Sequence, residues 1–140
     1  MRKELRARMP ASKYKVHLTS LISEFHFETI YLPEEIDSIF VTRSDLNRPG
    51  LPLAGFFNNF ETERIQLIGN MEHSYLRSLS AEERWRALDA FFSKDVVAVL
   101  VTTSLDIFPE MIDLAARYKT PLLRTPLKTS EIMSQLISSL

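Results

Sequence analysis

At 140 residues the chain has the usual size of one domain and enough length to bury a core. Its hydrophobic (45%) and charged (25%) contents exclude disorder, and a net charge of −1 excludes a strong field toward nucleic acid or membrane lipid. With no cysteine there is no disulfide or thiolate chemistry, and the longest apolar run, Val96 to Val101, is far too short to span a bilayer, so a soluble cytoplasmic protein is expected.

Arg2, Lys3, Arg6, Arg8, Lys13 and Lys15 stand against one acid, Glu4, over residues 1–15. No apolar signal core is present and Pro10 breaks any long helix, so this stretch reads as a solvated, poorly ordered basic extension. From Val16 to Phe27 the residues Leu18, Leu21, Ile22 and Phe25 fall at the spacing of an amphipathic helix. Thr29 to Leu32 predicts a short strand ended by Pro33, and Ile36 to Thr42 a second. Ser44 to Gly50, with its Asp, Asn, Pro and Gly, predicts a structured loop, and the aromatic stretch Leu51 to Phe60 a short helix.

Arg64 to Ile68 predicts another strand, stopped at Gly69 and Asn70. Ser80-Ala-Glu-Glu83 matches a capping box, so a helix should start there and bury Trp85, Leu88, Phe91 and Phe92. Val96 to Thr103 is a nearly continuous apolar strand of the kind covered on both faces of a parallel sheet. Pro109 suits the first turn of a helix carrying Met111, Ile112, Leu114, Ala115 and Tyr118. Leu122 and Leu123 form a short strand, and a last helix carries Ile132, Met133, Leu136, Ile137 and Leu140. Alternating helices and strands favour parallel pairing through right-handed crossovers. One α/β domain over 16–140 is expected.

Gly50-Leu-Pro-Leu-Ala-Gly55 has the glycine spacing of a Walker A loop, which also needs a lysine and a hydroxyl. Phe56 and Phe57 stand in their place and Pro52 removes an amide donor, so phenylalanine packing is the expected role. His17, His26 and His73 fall at no zinc spacing, and His26 reads as a helix-end residue. The acidic pairs Glu34-Glu35 and Glu82-Glu83 suit helix starts.

In an open α/β sheet the ligand site lies beyond the C-terminal strand ends. This places Thr42, Arg43, Ser44, Asp45, Asn47 and Arg48 after one strand, Thr102, Thr103 and Ser104 after another, and Arg124 and Thr125 after a third, with Thr129 nearby. Arginines, hydroxyls and helix N-termini could together hold a small phosphate or carboxylate. The candidate ligand-binding residues are Ser44, Asp45, Asn47, Arg48, Thr103, Arg124 and Thr125. Loop capping by Ser44 and Asp45, with threonine hydroxyls bonding backbone, is the alternative.

Ser44-Asp-Leu-Asn-Arg-Pro-Gly-Leu51, Leu53-Ala-Gly-Phe56, Glu63-Arg-Ile-Gln-Leu-Ile-Gly69, Ser80-Ala-Glu-Glu-Arg84 and Pro121-Leu-Leu-Arg-Thr-Pro126 occur in the order seen in one family. Together they resemble the N-terminal domain of the bifunctional HPr kinase/phosphorylases, from about Val16 to Leu140. The resemblance implies a three-layer α/β sandwich with a mostly parallel sheet, similar to the N-terminal domains of Mur ligases. It implies a parent enzyme that phosphorylates a serine of HPr with ATP or pyrophosphate, reverses this with phosphate, uses magnesium, forms hexamers and regulates carbon use. Its catalysis would sit in a C-terminal Walker A domain absent from this chain, so no catalytic residue, metal site or cofactor is carried over. HPr and that kinase domain are the implied partners, with no nucleic acid or membrane.

Overall fold

A computed structural model describes residues 15–139, with the side chain of Ser139 left out. The basic stretch 1–15 therefore lies outside the described residues, except for Lys15, whose ammonium stands 4.3 Å from the centre of the Phe40 ring.

In chain order the elements are β1 (Val16–His17), α1 (Leu18–Phe25), β2 (Glu28–Tyr31), a 3-10 helix (Glu34–Ser38), β3 (Phe40–Val41), α2 (Gly50–Leu53), β4 (Gln66–Ile68), α3 (Asn70–Ser78), α4 (Ala81–Phe92), β5 (Val99–Val101), α5 (Pro109–Tyr118), β6 (Leu122–Arg124) and α6 (Thr129–Ser139). The main sheet runs β2-β6-β5-β4, and β1 pairs with β3 in a separate two-stranded ribbon. β4, β5 and β6 are parallel, while β2 joins β6 antiparallel at the edge. The fold is α/β, with a mixed, mostly parallel sheet between helices.

Strand alternation divides the core. Ile68, Val99, Val101 and Leu122 point to the face covered by Leu76 of α3, Leu88, Phe91 and Phe92 of α4, and Met111, Leu114 and Ala115 of α5. Their neighbours Leu67, Leu100 and Leu123 point the other way, onto Leu18 and Leu21 of α1 and Ile132 and Leu136 of α6. A sheet buried on both sides explains why Val99 to Val101 is apolar throughout, although the strand is shorter than the Val96 to Thr103 expected and Val96 to Ala98 lie before it. α4 starts as its sequence requires: Ser80 Oγ accepts from the Glu83 amide at 3.1 Å, and Glu83 Oε1 accepts from the Ser80 amide at 3.0 Å.

Four local expectations are corrected. The first helix begins at Leu18 instead of Val16, because Val16 and His17 pair with Val41 and Phe40. Most of Ile36 to Thr42 is not strand: Glu34–Ser38 is a 3-10 helix after Pro33, with three acids in its first turn and Ser38 Oγ donating to the Glu35 carbonyl at 2.8 Å. Helix α2 stops at Leu53 because the chain turns at Gly55, whose φ of +100° an L side chain rarely adopts. The turn leaves Phe56 65% exposed, so it does not pack as expected; Phe60 does, against Phe91 with ring centres 5.8 Å apart.

Helix α3 was not foreseen. Its buried face is Glu72, His73 and Leu76, so two of its three inward residues are polar and the apolar stripe is missing from the sequence.

Candidate functional site

The segment 44–48 runs beside the parallel edge strand. The Asn47 amide donates to the Ile65 carbonyl (2.9 Å) and the Leu67 amide to the Asn47 carbonyl (2.8 Å), making a parallel bridge with Gln66. Gln66 is fully buried, and a buried amide needs every partner it can find. Its Oε1 accepts from Asn47 Nδ2 at 2.7 Å, and its Nε2 donates to the Glu61 and Arg64 carbonyls. This pairing fixes Asn47 and, one residue on, Arg48 at the strand's edge.

Ser44 lies half-buried at the preceding bend. Beside it Asp45 accepts two hydrogen bonds from Arg43, at 2.9 and 3.1 Å, and Arg43 also reaches Glu61 at 3.1 Å. Arg64 closes the network, donating to Glu61 at 2.8 Å and to the Leu46 carbonyl. Hydrogen bonds from Arg43, then Arg64, hold the Glu61 carboxyl below the usual glutamate range. Burial pushes Asp45 up, but the Arg43 bond and the nearby positive charges outweigh it and leave Asp45 lowered.

Glu28 is lowered by its bond to Arg124, and Glu83 by the Ser80 amide. These four groups have folded values below their ordinary 4.5 or 3.8, so they stabilise the fold above those values and cease to as pH falls through the depressed ones. The melting temperature is expected to fall on acidification below about pH 4, each exposed pair contributing little. A calorimetric scan in steps from neutral to acid pH checks this; a melting temperature that rises through that window contradicts it.

Arg48 does not stay with this network. Its Nη2 donates to Glu72 Oε1 at 3.1 Å, and the same oxygen accepts from the Gly69 amide at 2.9 Å. Glu72 is buried, and both bonds offset that burial through its Oε1. Thr129, opening α6, comes close to Gly69 and shares a 3.0 Å hydrogen bond with Thr102 at the end of β5. Arg48, Gly69, Glu72, Thr102 and Thr129 thus meet at the C-terminal strand ends.

The remaining candidates form two further groups. The loops after β5 and β6 bond to each other: the Thr103 amide donates to the Leu127 carbonyl, Ser104 to Thr125 and Thr125 to Val101, at 2.9, 3.0 and 2.9 Å. Thr125 Oγ1 accepts from the Leu127 amide at 3.3 Å. Those amides are committed to backbone carbonyls. Arg124 faces elsewhere, donating twice to Glu28 (2.9 and 3.0 Å) and once to the Leu105 carbonyl (3.2 Å). So Asp45, Asn47 and Arg48 stand on one segment, Thr103 and Thr125 share a loop junction, and Arg124 is tied to the antiparallel edge.

Sequence reading missed Glu61, Arg64 and Gln66 as partners of the loop, and Glu72 as the partner of Arg48. For Glu72 the available signal was a carboxylate three residues after Gly69, the spacing of a helix start.

Beside Arg48 and Asn47 lies an open cleft of about 190 Å³, walled by Leu51, Phe56, Phe60 and Arg64. Ligand pockets usually run about 300–1,000 Å³, so this one has room for a side chain or a small group. The glycine-spaced segment cannot cradle phosphate: the Ala54, Gly55 and Phe56 amides donate to the Gly50, Pro52 and Leu51 carbonyls. Among the described residues no three His, Cys, Asp or Glu stand together to hold a metal ion. No helix there is long and apolar enough to cross a membrane.

Residues 16–140 match the model of the HPr serine kinase N-terminal family. The HPr kinase/phosphorylase of Clostridium perfringens strain 13 is 38% identical over 121 residues, covering 86% of this chain and 39% of that protein. The HPr kinase/phosphorylase of Bacillus subtilis strain 168 is 34% identical over 126 residues, 90% of this chain and 40% of its own length. The chain therefore spans about two fifths of the curated relatives it matches. The CBS and DRTGG domains of the regulatory region of a Clostridium perfringens pyrophosphatase, solved with the activator diadenosine tetraphosphate, align with a TM-score of 0.63 and 15% identity. That alignment covers 89% of this chain and 47% of the other, and it speaks for a shared fold.

Proposed function

Because the chain belongs to the HPr serine kinase N-terminal family, we propose that it is the regulatory and assembly domain of a bifunctional HPr serine kinase/phosphorylase and carries no catalytic residue of its own. The parent enzyme would be cytoplasmic and hexameric, phosphorylating a serine of HPr with ATP or pyrophosphate and magnesium, and reversing this with phosphate. It would control carbon use. HPr and the C-terminal kinase domain are the partners of this reading, and neither nucleotide nor metal binds here.

One observation carries it. The stretch matched by the family is also the stretch that forms the sheet and its two helical layers, and its single Walker-spaced segment is a short helix that consumes its own amides. Removing the corresponding domain from an HPr kinase/phosphorylase should leave HPr phosphorylation in the remainder while changing assembly, read by light scattering. A folded remainder that has lost all phosphotransfer would overturn the non-catalytic role.

A sensor of a small anionic metabolite is the second reading, favoured by the cleft beside Arg48 and by the regulatory setting of the pyrophosphatase domains. Of the seven candidates, Asn47 and Arg48 line that cleft and would hold the ligand, while Thr103, Thr125 and Arg124 stand in other groups. It ranks lower because Arg48 and Arg124 are already paired with Glu72 and Glu28. Calorimetric titration with phosphate and nucleotides separates the two readings: heat of binding lost in Arg48→Ala would favour the sensor.

A further inference from the structure

Helix α5, which follows β5, packs on the sheet face of Ile68, Val99 and Val101. Helix α6, which follows β6, packs on the opposite face, with Leu67, Leu100 and Leu123. β5 and β6 are neighbours in the sheet and run parallel. Connections that part to opposite faces from adjacent parallel strands open a crevice at the strand ends, where open α/β sheets bind their ligands. In this chain the loop after β5 is drawn across that crevice. Its Thr103 and Ser104 amides donate to the Leu127 and Thr125 carbonyls of the loop after β6, at 2.9 and 3.0 Å.

Strain and anchorage distinguish residues 103–107. Thr103 and Ser104 have φ of +57° and +47°, in the left-handed region, and neither is glycine. A threonine, branched at Cβ, suits that region poorly, so the crossing is strained and any release of the loop relieves it. Every residue from 103 to 108 is half-buried or exposed, whereas Val99 to Val101 are fully buried. The loop is held instead by side-chain bonds to two successive carbonyls. Arg124 Nη1, at the end of β6, donates to Leu105 at 3.2 Å, and His73 Nε2, on α3, to Asp106 at 2.8 Å. A carbonyl only accepts, so the His73 proton is on Nε2, while Nδ1 accepts from Arg77 at 3.2 Å. The His73 ring also stacks on Phe108, 4.6 Å between centres, and the Arg84 guanidinium stands 4.6 Å from the Phe108 ring centre.

We propose that residues 103–107 form a strap that opens as a unit, with the sheet intact, and uncovers the crevice between β5 and β6. Arg124 and His73 are its latches. Buried Thr102 and stacked Phe108 are its fixed ends. Opening releases the Thr103 and Ser104 amides from the facing loop and relaxes the two left-handed torsions. Such a strap would operate whether or not the domain assembles the parent enzyme.

Native-state hydrogen exchange of the full chain, followed by NMR, tests this. The Gln66 and Val99 amides, bonded to Ala98 and Pro121 within the sheet, report the stability of the whole fold. The Thr103 and Ser104 amides should be about a hundredfold less protected, and low urea should leave their protection unchanged, because a strap exposes little surface on opening. Ser104→Gly relieves one left-handed torsion without removing a core contact, so it should raise the protection of Thr103 about fivefold. His73→Phe keeps a ring on Phe108 and removes the bond to Asp106, so it should lower the protection of Thr103 and Ser104 about tenfold beyond any change at Gln66 and Val99. Equal protection at Thr103 and Val99 would overturn the proposal, since the strap would then open only with the whole fold. Exchange at Thr103 as fast as in a free peptide would overturn it as well, leaving no latched state. So would variants that move strap and sheet amides by the same factor, or that leave the strap amides unmoved.

Discussion

Phe91→Ala is expected to destabilise the protein by about 3–5 kcal/mol, the usual cost of emptying a large aromatic site in a closed core. Phe91 is fully buried on α4, edge-on to Phe92 at 5.6 Å between ring centres and 5.8 Å from Phe60. It shares its cluster with Ile68, Val99 and Val101 of the sheet and Leu114 of α5, all fully buried, so no neighbour can move in without leaving its own place. Urea unfolding reads the loss as a lower midpoint at nearly unchanged slope. A loss under about 1 kcal/mol would mean that the space closes up, and that this half of the core is not packed as described.

Gly69→Ala is expected to cost about 1–3 kcal/mol, a large effect for one methyl group, because the added Cβ has nowhere to go. It would lie 2.5 Å from Thr129 Oγ1, 3.2 Å from Arg48 Nη2 and 3.4 Å from Glu72 Oε1. The backbone at Gly69 is unstrained at φ −100°, so the close approach is the cause and not the torsion. Relief by rotating Thr129 would break its bond to Thr102. Thr129→Ala removes the obstructing oxygen, so the double variant should lose less than the two single losses added together. Melting or urea curves on the four proteins of the cycle check this. Strict additivity would show that Gly69 and Thr129 do not meet.

These two sites differ in how readable they were. Phe91 could be assigned from sequence alone, because Ser80 and Glu83 fix where α4 starts and the 3.6-residue period then turns Leu88, Phe91 and Phe92 inward. The apolar run around Val99 was equally plain, since a strand covered on both faces has no polar side to confuse the pattern. Gly69 read only as the end of a strand. Its crowding depends on Thr129, sixty residues away, and on α3, whose buried polar residues hide its period. Short local bonds that override a β-branched pattern were also invisible, as at Glu34–Ser38.

The candidate site was legible as a set of residue types at strand ends and not as a set of partners. Asn47 and Arg48 fall beside the edge strand because the loop from Ser44 carries them there. Their chemistry depends on Gln66 and Glu72, one inside a strand and one on the unforeseen helix. Arginine counts suggested positive charge available for an anion. The ion pairs to Asp45, Glu61, Glu72 and Glu28 withdraw much of it, and a charge already paired gains less from a new partner. The family strings carried what the individual residues could not.

The most direct measurement is phosphoserine formation on HPr. The folded chain, given HPr with magnesium and either ATP or pyrophosphate, is expected to produce no more phospho-HPr by mass spectrometry than a protein-free blank, while a full-length HPr kinase/phosphorylase under the same conditions phosphorylates it. Phosphoserine on HPr made by this chain alone, rising with its concentration, would contradict the account of a domain without catalytic residues of its own.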